Sequence, residues 1–188
     1  MIINAQKLLG AVFHQAMPKN QLIEIISALN SENVLSENCL AAVSEEDESL
    51  LQSEFSLLFE GIGDMPAPPW GSVYLDKDQI VFGQSTLDYR YFLEQNGIEL
   101  DTGTREPEDQ IGLMLLGHAY LLSENRSDAA KELMQVHLLP WVFHYLERLK
   151  NSTNSRFYQC LSVDTTDWLN SLVTDQQLIA VDKKLYLE

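Results

Sequence analysis

"TREPEDQIGLMLLGHAYLLSEN", residues 104–125, decides the fold. Ile111, Leu113, Met114, Leu115, Leu116, Tyr120, Leu121 and Leu122 leave almost no polar face on a helix, and a helix apolar all round belongs in the middle of a bundle. The residues ahead of it suit a helix entrance. Pro107 fits a first turn, where its missing N–H removes no bond, and Glu106, Glu108 and Asp109 complement the positive end of the helix dipole. The same acids have a second reading, since an aspartate at the rim of an apolar cleft holds an arginine in a charge-assisted pair.

Outward from this stretch, periodicity predicts helices almost throughout. Toward the amino end, Asn4 to Met17 carries the stripe Leu8, Leu9, Val12, Phe13 and Ala16, and Pro18 stops it. "KNQLIEIISALN" repeats the pattern with Leu22, Ile25, Ile26 and Leu29. Ser44 with Asp47 reads as a capping box opening a helix through Glu60, with Leu51, Phe55, Leu58 and Phe59 inward. "GIGDMPAPP", residues 61–69, concentrates glycine and proline and is a loop. "SVYLDKDQIVFG" alternates enough for a short hairpin, although loop and turn is the preferred reading. Ser85 is expected to cap a helix ending near Asn96, with Gly97 its left-handed stop.

Toward the carboxyl end, Ser127 opens "DAAKELMQVHLLPWVFHYLERLK", with a kink expected at Pro140. Two or three short helices, "NSRFYQCL", "TDWLNSLV" and "QQLIAVDKKLY", are expected to close the chain. There is no internal repeat, low-complexity tract or linker. The expected architecture is all-α, a single-domain bundle of roughly eight to eleven helices spanning residues 1–188.

Composition narrows the function. The chain carries 28 acidic against 12 basic residues, a formal net charge of -16. Such a surface repels nucleic acid and anionic membrane and attracts cationic peptides; it also serves plain solubility. The amino end has no basic block before an apolar one, and no run approaches the roughly 20 apolar residues that span a bilayer. Cys39 and Cys160 form no CxxC pair. A cytoplasmic location without membrane insertion is expected.

Searches for catalysis fail. There is no GxxxxGK[ST], "GIG" at Gly61 to Gly63 lacks a third glycine, and "GQSTL" lacks the closing glycine of a nucleophile elbow. His14, His118, His137 and His144 show no HExxH. No catalytic residue, metal ligand or cofactor is expected. What stands out is "APPWGSVYLD", residues 67–76, whose prolines stiffen a loop carrying Trp70 and Tyr74. Each ring is either a core residue or the wall of a site.

Several motifs together resemble one family. "FSLLFEG", Phe55 to Gly61, is similar to the aromatic-x-x-Leu-Phe-x-Gly signature of the TorD/DmsD/NarJ chaperones, with Ile62 where proline is usual. "EPEDQ", Glu106 to Gln110, resembles their Glu-x-x-Asp-His signature, with Gln110 in place of histidine. "PPWGSVYLD", "EPEDQIGLMLL" and "HLLPWVFHYL" follow in the order of the TorD and DmsD branch, so the resemblance runs from about Ala5 to Leu172.

The resemblance implies a cytoplasmic, all-helical chaperone rather than an enzyme. It would bind the twin-arginine signal peptide and catalytic subunit of a molybdopterin-dependent reductase, hold them for cofactor insertion, and take Tat translocase components as further partners. It places Asp109 and Gln110 in the peptide site near Trp70 and Tyr74; a glutamine there hydrogen-bonds but does not titrate. Such a peptide has a basic n-region followed by an apolar segment. Its arginines would pair with Glu106, Glu108 or Asp109, and its apolar part would dock against Leu116, Trp70, Tyr74 and Trp141. Two other classes stay open: an adaptor that binds the folded reductase and ignores the isolated peptide, and a small helical metal-dependent hydrolase. The chain is expected to be a monomer or a dimer swapped at a hinge over residues 123–128.

Overall fold

The computed structural model describes residues 2–61, 64–99 and 106–187. Ile62, Gly63, Thr104 and Arg105, all used above, lie outside them. The helices are α1 (Ile2–His14), α2 (Lys19–Ser31), α3 (Glu37–Glu45), α4 (Glu48–Phe59), α5 (Gly71–Leu75), α6 (Gln84–Gln95), α7 (Ile111–Ser123), α8 (Ser127–Glu132), α9 (Leu139–Ser152) and α10 (Arg156–Gln176). A π-helical stretch, Leu133–Leu138, joins α8 to α9. The all-α expectation holds, and among the described residues there is no extended sheet; an isolated antiparallel bridge joins Trp70 to Gln110.

The apolar helix is central, as its sequence demands. On α7, Ile111 to Leu115, Gly117 to Ala119 and Leu121 are buried. Its closest neighbour is α1, and glycines set the approach. A Cβ on Gly112 would stand 2.5 Å from the Gly10 carbonyl oxygen, and one on Gly10 would stand 2.8 Å from that of Gly112. Deeper in the same interface, the Gln6 amide donates to Nδ1 of His118, and both residues are fully buried. The buried side chains form one cluster from Ala5 to Leu178.

The His118 contact makes stability pH-dependent. Burial lowers its pKa from 6.5 to about 4, so the folded chain holds it neutral while an unfolded chain takes up a proton. His137 behaves alike, lowered to about 4 chiefly by burial. For a base with a depressed folded pKa, the contribution is whole above the unfolded value and is lost as pH falls through the window from 6.5 to about 4. The melting temperature is therefore expected to fall between pH 7 and pH 4.5, and less steeply in His118→Gln; an equal slope in both proteins would refute the assignment.

Several expectations need correction. Ser44 opens no helix: it lies inside α3, where its hydroxyl donates to the Leu40 carbonyl oxygen at 2.7 Å. Helix α3, which periodicity did not reveal, is capped by Ser36, whose side chain accepts from the Cys39 N–H. The break before α4 has a tertiary cause. Glu46 turns extended, and its carboxylate accepts from the Ser155 hydroxyl and the Arg156 N–H at the start of α10. Ser85 caps nothing either: α6 starts at Gln84 after Gly83, and the Ser85 N–H and hydroxyl both donate to Asp76. Gly97 is left-handed as expected, at φ 60°.

The segment from Gly71 to Leu75, expected as loop and turn, is helix α5. A helix this short is not stable alone; its first turn is capped from across the fold, as described below. At the carboxyl end the expected short helices are one continuous helix, α10, and residues 177–187 carry none. Between the two expected pieces, Ser162 and Thr165 are buried, and Ser162 donates to the Leu146 carbonyl of α9. Helix α1 stops at His14, short of Met17. At Pro140, where a kink was expected, the π-helical stretch gives way to α9, and the Trp141 indole N–H donates to the His137 carbonyl at 2.8 Å.

Candidate functional site

The entrance of α7 is built where two loops cross. The Gly71 N–H donates to the Asp109 carbonyl at 3.1 Å and the Ile111 N–H to that of Pro69 at 2.9 Å, flanking the Trp70–Gln110 bridge. Pro69 and Pro107 lack N–H groups, so these loops keep few donors, and the crossing uses their carbonyls. The acidic entrance and the aromatic loop are therefore one structural unit.

Within it, Asp109 is spent on the fold. It is 3% exposed, and its carboxylate accepts from the Ser72 N–H at 2.6 Å, capping α5 from outside because Trp70 at the N-cap has no suitable side chain. Burial pushes its pKa up, while Ser72 and the Thr86 hydroxyl hold it back. Gln110 is also buried: its carbonyl oxygen accepts from the Leu113 N–H as the N-cap of α7, and its NH2 donates to the Phe13 carbonyl at the end of α1. A neutral side chain that donates and accepts at once closes the junction of α1 and α7 without burying a charge.

The other acids are reached by solvent. Glu108 holds Arg90 of α6 in a fork, Oε1 to Nε and Oε2 to Nη2, both at 2.8 Å. Glu106 lies 3.3 Å from Nδ1 of His14. Burial raises the Glu106 pKa to about 7, opposed by the Trp70 indole N–H, and burial lowers that of His14. Both groups are thus pushed toward neutrality, so their contact is a weak ion pair at neutral pH.

Trp70 is half-buried, and its indole N–H faces the Glu106 carboxyl. Behind it, Tyr74 and Trp141 are fully buried, stacked at 5.5 Å and 24°. Gly71 rests against the same indole: a Cβ there would be 2.7 Å from Nε1. Leu116 is half-buried on α7, against Gly10 of α1.

Trp70, Glu106, Glu108, Asp109 and Gln110 thus share the crossing, Tyr74 and Trp141 support it from the core, and Leu116 lies farther along α7. Sequence reasoning missed Arg90 and His14 as partners of the acids. Neither carries a local signal, because each meets its acid only after distant helices pack. Three clefts are lined by none of these residues: one of about 560 Å³ beside Gln95 and Arg126, one of about 470 Å³ beside Trp168, Asp164 and Glu37, and one of about 340 Å³ beside Phe143 and Val163. Among the described residues no group of acids, histidines or cysteines is arranged to hold a metal ion, and no helix is long and apolar enough to cross a membrane.

Comparison with known proteins agrees with this architecture. The family described as nitrate reductase delta subunit matches residues 22–147. The chain is 35% identical over 191 residues to a Haemophilus influenzae protein named "Probable Tat proofreading chaperone DmsD", covering 96% of this chain and 94% of that protein. It is 33% identical over 165 residues to the Tat proofreading chaperone DmsD of Salmonella typhimurium, covering 82% and 80%. A crystal structure described as a redox enzyme maturation protein from Archaeoglobus fulgidus superposes with a TM-score of 0.64 at 16% identity, over 89% of this chain and 93% of that one. At that identity it shows the fold alone.

Proposed function

Because the chain belongs to the nitrate reductase delta subunit family, the group of the TorD, DmsD and NarJ chaperones, we propose that it is a Tat proofreading chaperone. It binds the twin-arginine signal peptide of a molybdenum-containing reductase subunit in the cytoplasm and holds that subunit for cofactor insertion before export. It acts by binding, without turnover.

One observation carries the reading: two solvent-reached carboxylates stand beside a half-buried tryptophan on a loop braced by the core. Arg90 grips Glu108 in the bidentate manner that a peptide arginine would use. Exchange of one guanidinium for another leaves no carboxylate bare. Glu106 takes the second arginine, and the apolar segment runs over Trp70 and Leu116. Asp109, Gln110, Tyr74 and Trp141 hold these contact residues in place from behind.

The raised pKa of Glu106 supplies the test. Below about pH 7 its carboxyl keeps a proton and offers an arginine no charge; above it the carboxylate forms. Affinity for a synthetic twin-arginine peptide, measured by calorimetry, is expected to rise about tenfold from pH 6 to pH 8, the worth of one charge-assisted bond. Glu106→Gln should remove that rise, and Glu108→Ala should weaken binding at both pH values. A folded protein that captures a reductase subunit but no isolated signal peptide at either pH would be an assembly adaptor instead.

A further inference from the structure

The carboxyl-terminal segment after α10 has no helix, yet it is tied down. Gln177, left-handed at φ 51°, ends α10, and Leu178 is buried. The chain then crosses the π-helical stretch, where the Val181 N–H donates to the Gln135 carbonyl at 2.8 Å and the Ile179 N–H to the Gln135 side chain at 3.3 Å. Pro140 explains why that carbonyl is open. In a π-helix the N–H five residues on would bond it, and proline has none. Farther on, the Tyr186 N–H donates to the Tyr74 carbonyl at 2.8 Å, and the Gln79 amide donates to the Tyr186 carbonyl at 2.7 Å. The tail thus ends on α5, the short helix that Trp70 opens.

Its side chains repeat an order already met. "VDKKLYL", residues 181–187, sets two adjacent bases ahead of an apolar run. Lys183 is half-buried within electrostatic reach of Asp88 and Asp76. Lys184 lies over the Tyr186 ring at 4.7 Å, while Leu185 and Leu187 pack against the core. The segment is held chiefly by backbone bonds, with Val181 42% exposed and Lys184 exposed, and backbone bonds of this kind accept any extended segment of matching side-chain order.

We infer that residues 181–187 are an internal stand-in for the client peptide, occupying a groove of α5, α6 and the π-helical stretch that takes a basic-then-apolar segment. The inference rests on the peptide-binding reading above and goes beyond it by assigning a second contact surface and a competitor for it. A client peptide gripped at Glu106 and Glu108 by its arginine pair extends across α5 with the residues flanking that pair, displacing the tail, whose Lys183 lies by Asp88 and Asp76 instead. The tail in turn shields the apolar groove of the empty chaperone.

The test compares three proteins for affinity toward one synthetic twin-arginine peptide: the full chain, a chain ending at Ala180, and the full chain with Lys183→Glu and Lys184→Glu. Ending at Ala180 keeps the buried Leu178, and the double substitution keeps the whole backbone if truncation harms folding. Both variants are expected to bind about fivefold tighter, the gain from freeing a site that is mostly self-occupied. A free peptide of residues 179–187 should compete with the signal peptide on the truncated chain. Hydrogen exchange at Val181 and Tyr186 of the full chain should quicken when signal peptide is added. Unchanged or weaker binding by folded variants overturns the inference and leaves the peptide reading standing. Absence of binding by all three proteins overturns both.

Discussion

Gly112→Ala is expected to lower stability by about 3 kcal/mol, at the upper end of overpacking costs, because the obstruction is backbone. Its new Cβ would stand 2.5 Å from the Gly10 carbonyl oxygen, 2.8 Å from Gln110 Oε1 and 2.9 Å from His14 Cβ. Neither α1 nor α7 can yield without opening the interface that buries Phe13, Leu9 and Met114. Alanine's better helix propensity returns only about 1 kcal/mol. For a chain of this size the melting temperature should drop by about 6–12 °C. Gly117→Ala is the contrast on the same helix: its nearest obstacle is the Tyr89 hydroxyl at 3.2 Å, the end of a side chain, so the cost should be far smaller. Equal, small effects at both positions would mean that α1 and α7 do not touch through backbone.

Trp141→Ala should cost about 4 kcal/mol, in the range for deleting a buried aromatic, and should also loosen the site. The indole is fully buried, stacks on Tyr74, donates to the His137 carbonyl and walls Gly71. Its loss leaves a cavity beneath the loop that carries Trp70, so affinity for the signal peptide should fall along with the melting temperature. Trp141→Phe keeps a ring and loses the N–H, and should cost about 1 kcal/mol. With native stability of roughly 5–15 kcal/mol, the alanine variant stays measurable in denaturant titrations. Full peptide affinity in a destabilised Trp141→Ala chain would show that the core does not brace the binding surface.

The two variants also mark how far a sequence can be read. Helix α7 was legible because its signal is local and strong: an apolar run on every face has one place to go. Its start was misplaced, since Pro107 and the three acids precede a first turn that opens at Ile111 after Gln110 and holds no acid. The left-handed Gly97 was legible for a similar reason, since the stop is encoded at the residue itself. Ser44 and Ser85 misled because a serine near a helix start is a cap only when the backbone turns there. Glu46 and Asp76, bonded across the fold, set where α4 and α6 begin.

In the candidate site, these residues stood out in the chain, but what each does in the fold did not. Asp109 looked as available as Glu106 and Glu108 in "EPEDQ"; burial beside Ser72 makes it a cap, while its neighbours stay in reach of solvent. Arg90 and His14 were invisible as partners.

The sequence by itself determined the all-helical class and the central place of α7, because periodicity and turn residues act over a few neighbouring positions. Only tertiary structure decided that residues 71–75 are helical, that Asp109 is spent internally, and that the tail lies on α5. Those outcomes depend on donors and acceptors brought together from distant parts of the chain, and a buried polar group takes whichever partner packing leaves beside it.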